Sequence, residues 1–323
     1  MDATTSIARR ARGAYDAAQK MAAGAGAHAG DAMRMAALEH IRAGLAARRA
    51  EIAAANAQDV AEAVRGGVPA PLVARLDLFA RADKWDAMLQ GVADVAALPS
   101  PLDVCRRASR LAEAAPDAAA GALDLYQVTC PIGVLLCIFE ARPEVVVNIA
   151  SLAIKSGNAA ILKGGRESRH TAAVLAGVVR DALARAALPA HLVQTVETRD
   201  EVHALLHEDR YIDLVVPRGS SALVRSIQRE ARMPVMGHAD GLCAAYIHAD
   251  APAALVVPTV LDAKTDYPSA CNAVETLLVH RAHLAPGGAW APLVRALVAA
   301  GKSPEQVREI ARLRGQAMKE LGI

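Results

Sequence analysis

Aromatic side chains are nearly missing from this chain. Two Phe, two Trp and five Tyr make up 3% of its 323 residues, although 54% of the sequence is hydrophobic. The core therefore has to be aliphatic, built from Ala, Val, Leu and Ile. No basic stripe with interleaved aromatics occurs, and the formal net charge is only +2, with both signs spread along the chain. Nucleic acid is accordingly not an expected partner. Long apolar runs are missing too. The longest, Val128–Phe139, is too short to span a bilayer and runs straight into Glu140 and Arg142, so no membrane association is expected. Arg9, Arg10 and Arg12 are not followed by a sustained apolar segment, so no secretory signal is expected. The cytoplasm is the expected location, and the Ala, Ser, Thr and Arg content near the start leaves organelle targeting open.

Cysteine is scarce and scattered. Cys105, Cys130, Cys137, Cys243 and Cys271 form an odd set with no C-x-x-C pair, which argues against a disulfide framework or a metal site and for a reducing compartment. Stock nucleotide motifs are absent as well. No G-x-G-x-x-G follows a strand, and "VAAGKSP" ends like a P-loop but has Ala296 where the first glycine belongs. "HEDRY" has Tyr211 where a zinc-protease helix needs its second histidine.

What is present is an alternation of texture. Residues 31–64 read as helical, with Met35, Leu38, Ile41, Leu45 and Ile52 on one stripe. Ser100 to Gly121 has poor periodicity and reads as a connector. "ALDLYQVTC" alternates like a strand, and "IGVLLCIF" is a continuous apolar run, as in a strand buried on both faces. "PEVVVNIASLAIKSGN" is a helix opened by Pro143 and closed by Gly157-Asn158. Strand "AAILKGG", a helix to about Ala187, strand "HLVQTVE", helix "RDEVHALLHED", strand "YIDLVVPRG" and helix "SALVRSIQREA" follow; "PVMGHADGLCAAYI" returns to strand character. The fold class is α/β, with βαβ units and a mostly parallel, doubly wound sheet. A ligand crevice belongs at the carboxyl ends of its strands. Those ends carry Glu140-Ala-Arg142, Lys163-Gly-Gly165, Pro217-Arg-Gly-Ser-Ser221 and Gly237-His-Ala-Asp-Gly241.

Four blocks in order, "CPIGVLLCIFEARPEVVVNIASLAIKSGNAAILKGGRES", "IDLVVPRGSSALVRSIQ", "PVMGHADG" and "YPSACNAVETLLVH", resemble the gamma-glutamyl phosphate reductase (glutamate-5-semialdehyde dehydrogenase) family of the aldehyde dehydrogenase superfamily. "TCPIGVLL", "PRGSS" and "PVMGH" are most similar to the reductase half of delta-1-pyrroline-5-carboxylate synthase. The resemblance includes "AANAQDV" and extends to about Ala300. It implies an aldehyde dehydrogenase-like fold: an NADPH-binding domain over 1–245, with N-terminal helices and a small hairpin extension near 121–130 used in oligomerisation, then a partial catalytic domain over 246–323. The family continues well past the "ETLLVH" strand, which would leave that strand exposed. Residues 301–323 do not match the family, and Val307, Ile310, Leu313, Ala317 and Leu321 there form a helical stripe expected to dock on the unfinished domain.

The implied activity is the NADPH-dependent reduction of gamma-glutamyl phosphate to glutamate 5-semialdehyde, in proline biosynthesis. A homo-oligomer and glutamate 5-kinase are the implied protein partners. The alternative is a non-catalytic shortened chain that binds nucleotide or a full-length partner. Cys271 matches the family's nucleophile, a thiolate that attacks the acyl phosphate and leaves a thioester. Asn272 and the Cys271 amide are implied oxyanion donors. His238 falls where hydrolytic aldehyde dehydrogenases have a water-activating glutamate, which favours reduction over aldehyde oxidation; His238 reads as substrate-binding or as a plain turn histidine. Arg142 reads as an anion holder for substrate, or as a partner of Glu140 or Glu144. Lys163 is expected at the cofactor ribose, where an ammonium favours a 2′-phosphate, or as a strand-end lysine reaching for water. Gly164 and Gly165 permit close backbone approach. Pro217, Arg218, Gly219, Ser220 and Ser221 are the expected pyrophosphate turn, or a plain helix cap.

Overall fold

The computed structural model describes residues 3–112, 123–140, 142–238, 241–266 and 272–301. The chain divides into two compact units, Met1–Ala239 and Asp240–Ile323.

The first unit is organised around a four-stranded parallel sheet. Its strands are β3 (Val134–Ile138), β4 (Ala159–Lys163), β5 (Val193–Val196) and β6 (Leu214–Pro217), in spatial order β5-β4-β3-β6. β3 and β4 are buried almost throughout, as their unbroken apolar runs require of a sheet covered on both faces. Parallel neighbours need crossovers, supplied by α6 (Val145–Lys155) between β3 and β4 and by α7 (Arg169–Arg185) between β4 and β5. Right-handed crossovers put both helices on one face. The chain then passes through α8 (Arg199–Leu205) to β6 on the far side of β3, so the direction of travel along the sheet reverses between β3 and β6. α9 (Ser221–Glu230) follows. A single parallel bridge from Val235 to Val215 extends the sheet beyond β6.

Helices α2 (Ala27–Ala47), α3 (Arg49–Arg65) and α5 (Ala82–Ala97) pack against α6 and α7, and α4 (Ala70–Leu76) joins α3 to α5. Leu38, Ile41, Leu45 and Ile52 are fully buried, as their shared stripe predicts, although the helix is interrupted at Arg48. α1 (Ala3–Ala25) lies against β3, β4, β5 and α8 through Ala8, Ala11 and Ala14. Arg12 of α1 pairs with Asp213 ahead of β6, which clamps the helix to the sheet.

The connector reading of 100–121 is corrected. β1 (Cys105–Ala112) pairs antiparallel with β2 (Leu123–Val128) in a separate hairpin. "CRRASRLA" is mostly polar and exposed, so it carries no periodic signal; its pairing with β2 makes it a strand.

The second unit holds one βαβ element. β7 (Ala244–Ile247) and β8 (Thr276–Val279) are parallel and joined through α10 (Ala253–Thr265). α11 (Trp290–Ala299) packs on α10, and Val256, Val260, Leu277, Leu293 and Leu297 form the core. The "PVMGHADGLCAAYI" segment thus supplies a bridge residue to the first unit and a strand to the second. The stripe from Val307 to Leu321 lies outside the described residues.

Candidate functional site

In an open α/β sheet, ligands bind outside the carboxyl ends of the strands where the strand order reverses. Here that point lies between β3 and β6. The strand ends are level, since Ile138 is in register with both Lys163 and Pro217. Two backbone bonds carry the alignment past the ladder: Phe139 N–H donates to the Lys163 carbonyl at 2.9 Å, and Arg218 N–H to the Ile138 carbonyl at 2.7 Å.

Two clefts share this edge. One, of about 390 Å³, runs between α8 and α9 and is lined by Val202, Leu206, Leu223 and Ile227. The other, of about 550 Å³, is lined by Val68, Leu72 and Leu76 together with Arg166 and Glu167. Glu140, Lys163 and Arg199 line both. A third cleft of about 300 Å³ is lined by Gly164, Gly165 and Arg166 with Thr195 and Thr198.

Lys163 is half-buried. Burial lowers its pKa, and Arg199 and then Arg166 act in the same direction, against Glu167 and Glu140. A cation held beside other cations is a place for an anion. Gly219 is shaped for a close approach: a Cβ there would sit 2.8 Å from Leu223 Cδ2 and 3.1 Å from Glu140 Oε1. Ser220 is the N-cap of α9, its Oγ accepting from Leu223 N–H at 3.3 Å, while Pro217 is buried and Arg218 exposed. The adenosine end of a dinucleotide fits these residues, with an apolar slot beside a basic lip and a bare glycine turn.

Other expected residues are placed elsewhere. Arg142 is exposed just before Pro143, and among the described residues it forms no ion pair with Glu140 or Glu144. Glu144 Oε2 is buried without a hydrogen-bond partner, close to Lys84, whose pKa burial lowers. His238 is exposed and does not line the three clefts.

In the second unit Asn272 is an exposed turn residue, and Cys271 lies outside the described residues. The flanks of that segment are tied together: Val274 N–H donates to the Ala263 carbonyl at 3.0 Å, and Lys264 Nζ to the Val274 carbonyl at 2.7 Å. Cys137 is buried, and desolvation pushes its thiol up to about 12; Cys105 and Cys130 are exposed.

Arg199 was not among the residues expected from sequence. A signal existed in Thr198-x-x-Glu201, a capping box that starts α8 directly after β5.

The parallel sheet with helices on its faces and a reversal of strand order place this chain in the class of doubly wound α/β proteins. The aldehyde dehydrogenase family profile matches residues 2–299, and the chain belongs to that family. It is similar to the probable gamma-glutamyl phosphate reductase of Schizosaccharomyces pombe, at 51% identity over 252 residues, covering 77% of this chain and 54% of that protein. The crystal structure of gamma-glutamyl phosphate reductase from Thermotoga maritima matches with a TM-score of 0.83 at 29% identity, covering 96% of this chain and 72% of that one. That of the Saccharomyces cerevisiae enzyme matches with a TM-score of 0.65 at 40% identity, over 100% and 76%. The chain spans about half the length of the curated relatives it matches. Among the described residues no helix is long and apolar enough to cross a membrane.

Proposed function

We propose that this chain acts as a gamma-glutamyl phosphate reductase, reducing gamma-glutamyl phosphate to glutamate 5-semialdehyde with release of phosphate. The observation that carries the reading is the 51% identity to the fission yeast reductase over 252 residues, 77% of this chain. Support comes from the fit of the first unit's clefts to the adenosine end of NADPH.

In this mechanism the Cys271 thiolate attacks the acyl carbon, the C–O bond to phosphate breaks, and inorganic phosphate leaves a thioester on sulfur. The Cys271 amide and Asn272 steady the oxygen that gains charge. Lys163 and the Gly219–Ser221 turn of the first unit would hold NADPH, which would supply the hydride for reduction to the aldehyde. His238 stands in place of a water-activating carboxylate, so the thioester is spared hydrolysis. Arg142 holds a substrate anion. The exposed Leu123, Leu125, Tyr126 and Val128 of the hairpin suit a contact with a second copy of the chain, and a glutamate 5-kinase supplies the acyl phosphate.

The test is a single-turnover assay with NADPH and enzymatically generated gamma-glutamyl phosphate. Semialdehyde should form with the wild-type chain and not with Cys271→Ala, while NADPH binding stays intact. Undiminished product from that variant overturns the mechanism. NADPH binding without product in the wild type replaces it with the non-catalytic reading.

A further inference from the structure

The two larger clefts meet at three charged residues. Glu140 comes from the end of β3, Lys163 from the end of β4 and Arg199 from the start of α8. The slot between α8 and α9 presents Val202, Leu206, Leu223 and Ile227, a surface for a flat apolar ring. A ring seated there puts its attached ribose at the shared lip. Neither Lys163 nor Arg199 forms an ion pair among the described residues. Arg199 is the charge that most opposes protonation of Lys163. Glu140 and Glu167 face the same region without coming within ion-pair distance of either cation. Two unpaired cations across one lip match a phosphomonoester, which carries about −1.5 to −2 charge near neutral pH.

The root of Arg199 is also fixed. Glu201 Oε2 accepts from Thr198 N–H at 2.8 Å and from Glu197 N–H at 3.0 Å, and Thr198 Oγ1 accepts from Glu201 N–H at 3.1 Å. The guanidinium therefore starts from an ordered turn, which limits the entropy lost on gripping an anion.

We infer that Arg199 is a specificity-determining residue for the cofactor: its guanidinium and the Lys163 ammonium hold the 2′-phosphate of NADPH between them, while Glu140 accepts from a ribose hydroxyl. The inference rests on the cofactor reading above and adds the residue that makes the site select for the phosphate.

The test is calorimetric titration of the 323-residue chain, wild type, Arg199→Ala and Arg199→Lys, with NADPH, NADH, 2′,5′-ADP and 5′-ADP. Arg199→Ala should weaken NADPH and 2′,5′-ADP about 10- to 100-fold, and NADH and 5′-ADP less than about twofold. Arg199→Lys should recover part of the loss, because it keeps the charge without the two-pronged geometry. Equal weakening of phosphorylated and unphosphorylated probes makes Arg199 structural and overturns the inference, as does no weakening at all. Failure of the wild-type chain to bind any of the four probes overturns the cofactor reading, and this inference with it.

Discussion

Asp59 offers the sharpest test of how the first unit holds its ligand edge in place. It lies on α3, is 1% exposed, and its carboxylate reaches the first turn of α7. Oδ1 accepts from His170 N–H at 3.1 Å; Oδ2 accepts from Thr171 N–H at 2.8 Å and from Thr171 Oγ1 at 2.6 Å. Asn56, one turn earlier, donates to Thr171 Oγ1 at 3.3 Å and to the Leu76 carbonyl at 2.9 Å, and accepts from Leu78 N–H at 2.9 Å. The carboxylate therefore satisfies amides that the start of a helix leaves without partners, with the sign of charge the helix dipole favours. Hydrogen bonds to a charged group contribute about 1.5–3 kcal/mol each, and three on one carboxylate are not additive. Asp59→Ala should thus cost about 3–4 kcal/mol. For a unit of this size that lowers the melting temperature by about 6–16 °C, at roughly 2–4 °C per kcal/mol. Asp59→Asn keeps one acceptor oxygen and should lose less. Since α7 follows closely on the Gly164–Glu167 segment that lines the clefts, NADPH affinity should fall with stability. Urea unfolding followed by circular dichroism, with NADPH titration, measures both. A loss below about 1 kcal/mol in Asp59→Ala would refute the reasoning, because the donors would then have other partners.

Gly133→Ala should destabilise by about 3 kcal/mol or more. Its φ is 131°, and the added methyl would run into the Asp213 carboxylate that accepts from Val134 N–H at 2.6 Å; a thermal melt within 2 °C (roughly 1 kcal/mol) of wild type would count against it. Iodoacetamide at about pH 8 should label Cys105 and Cys130 in the folded chain and spare Cys137, whose thiol stays protonated far above its ordinary range. Peptide mass spectrometry reads this, and equal labelling of Cys137 would mean that its strand opens readily. Lys163→Ala should weaken NADPH about tenfold or more and NADH little, by equilibrium titration; equal losses would make Lys163 a strand-end solubiliser.

The parts of the fold that could be read from sequence are those where burial leaves a strong pattern. "IGVLLCIF" and "AAILK" had to be buried strands because few other arrangements hide such runs, and they are β3 and β4. α1 leaves no stripe of its own, and only the resemblance's N-terminal helices imply it, because its buried face is alanine: Ala8, Ala11 and Ala14 keep a helical spacing without the large apolar residues that make a stripe visible. β1 escaped because an exposed hairpin strand depends on its partner rather than on its own residues.

The ligand edge divides the same way. Lys163 and the Pro217–Ser221 turn follow directly from buried strands, so their position along the chain is enough to put them at the crevice. Arg199 follows β5, the strand farthest from β6 in sheet order, and reaches the shared lip because the crossover through α8 carries the chain back towards β6. That return is a property of topology, and no local spacing encodes it. A charged residue at the start of a reversing crossover can therefore face a ligand chosen by strands on the other side of the switch point. If the NADPH reading proposed above holds, the first turn of α8 is as informative about cofactor choice as the glycine-rich segment after β4.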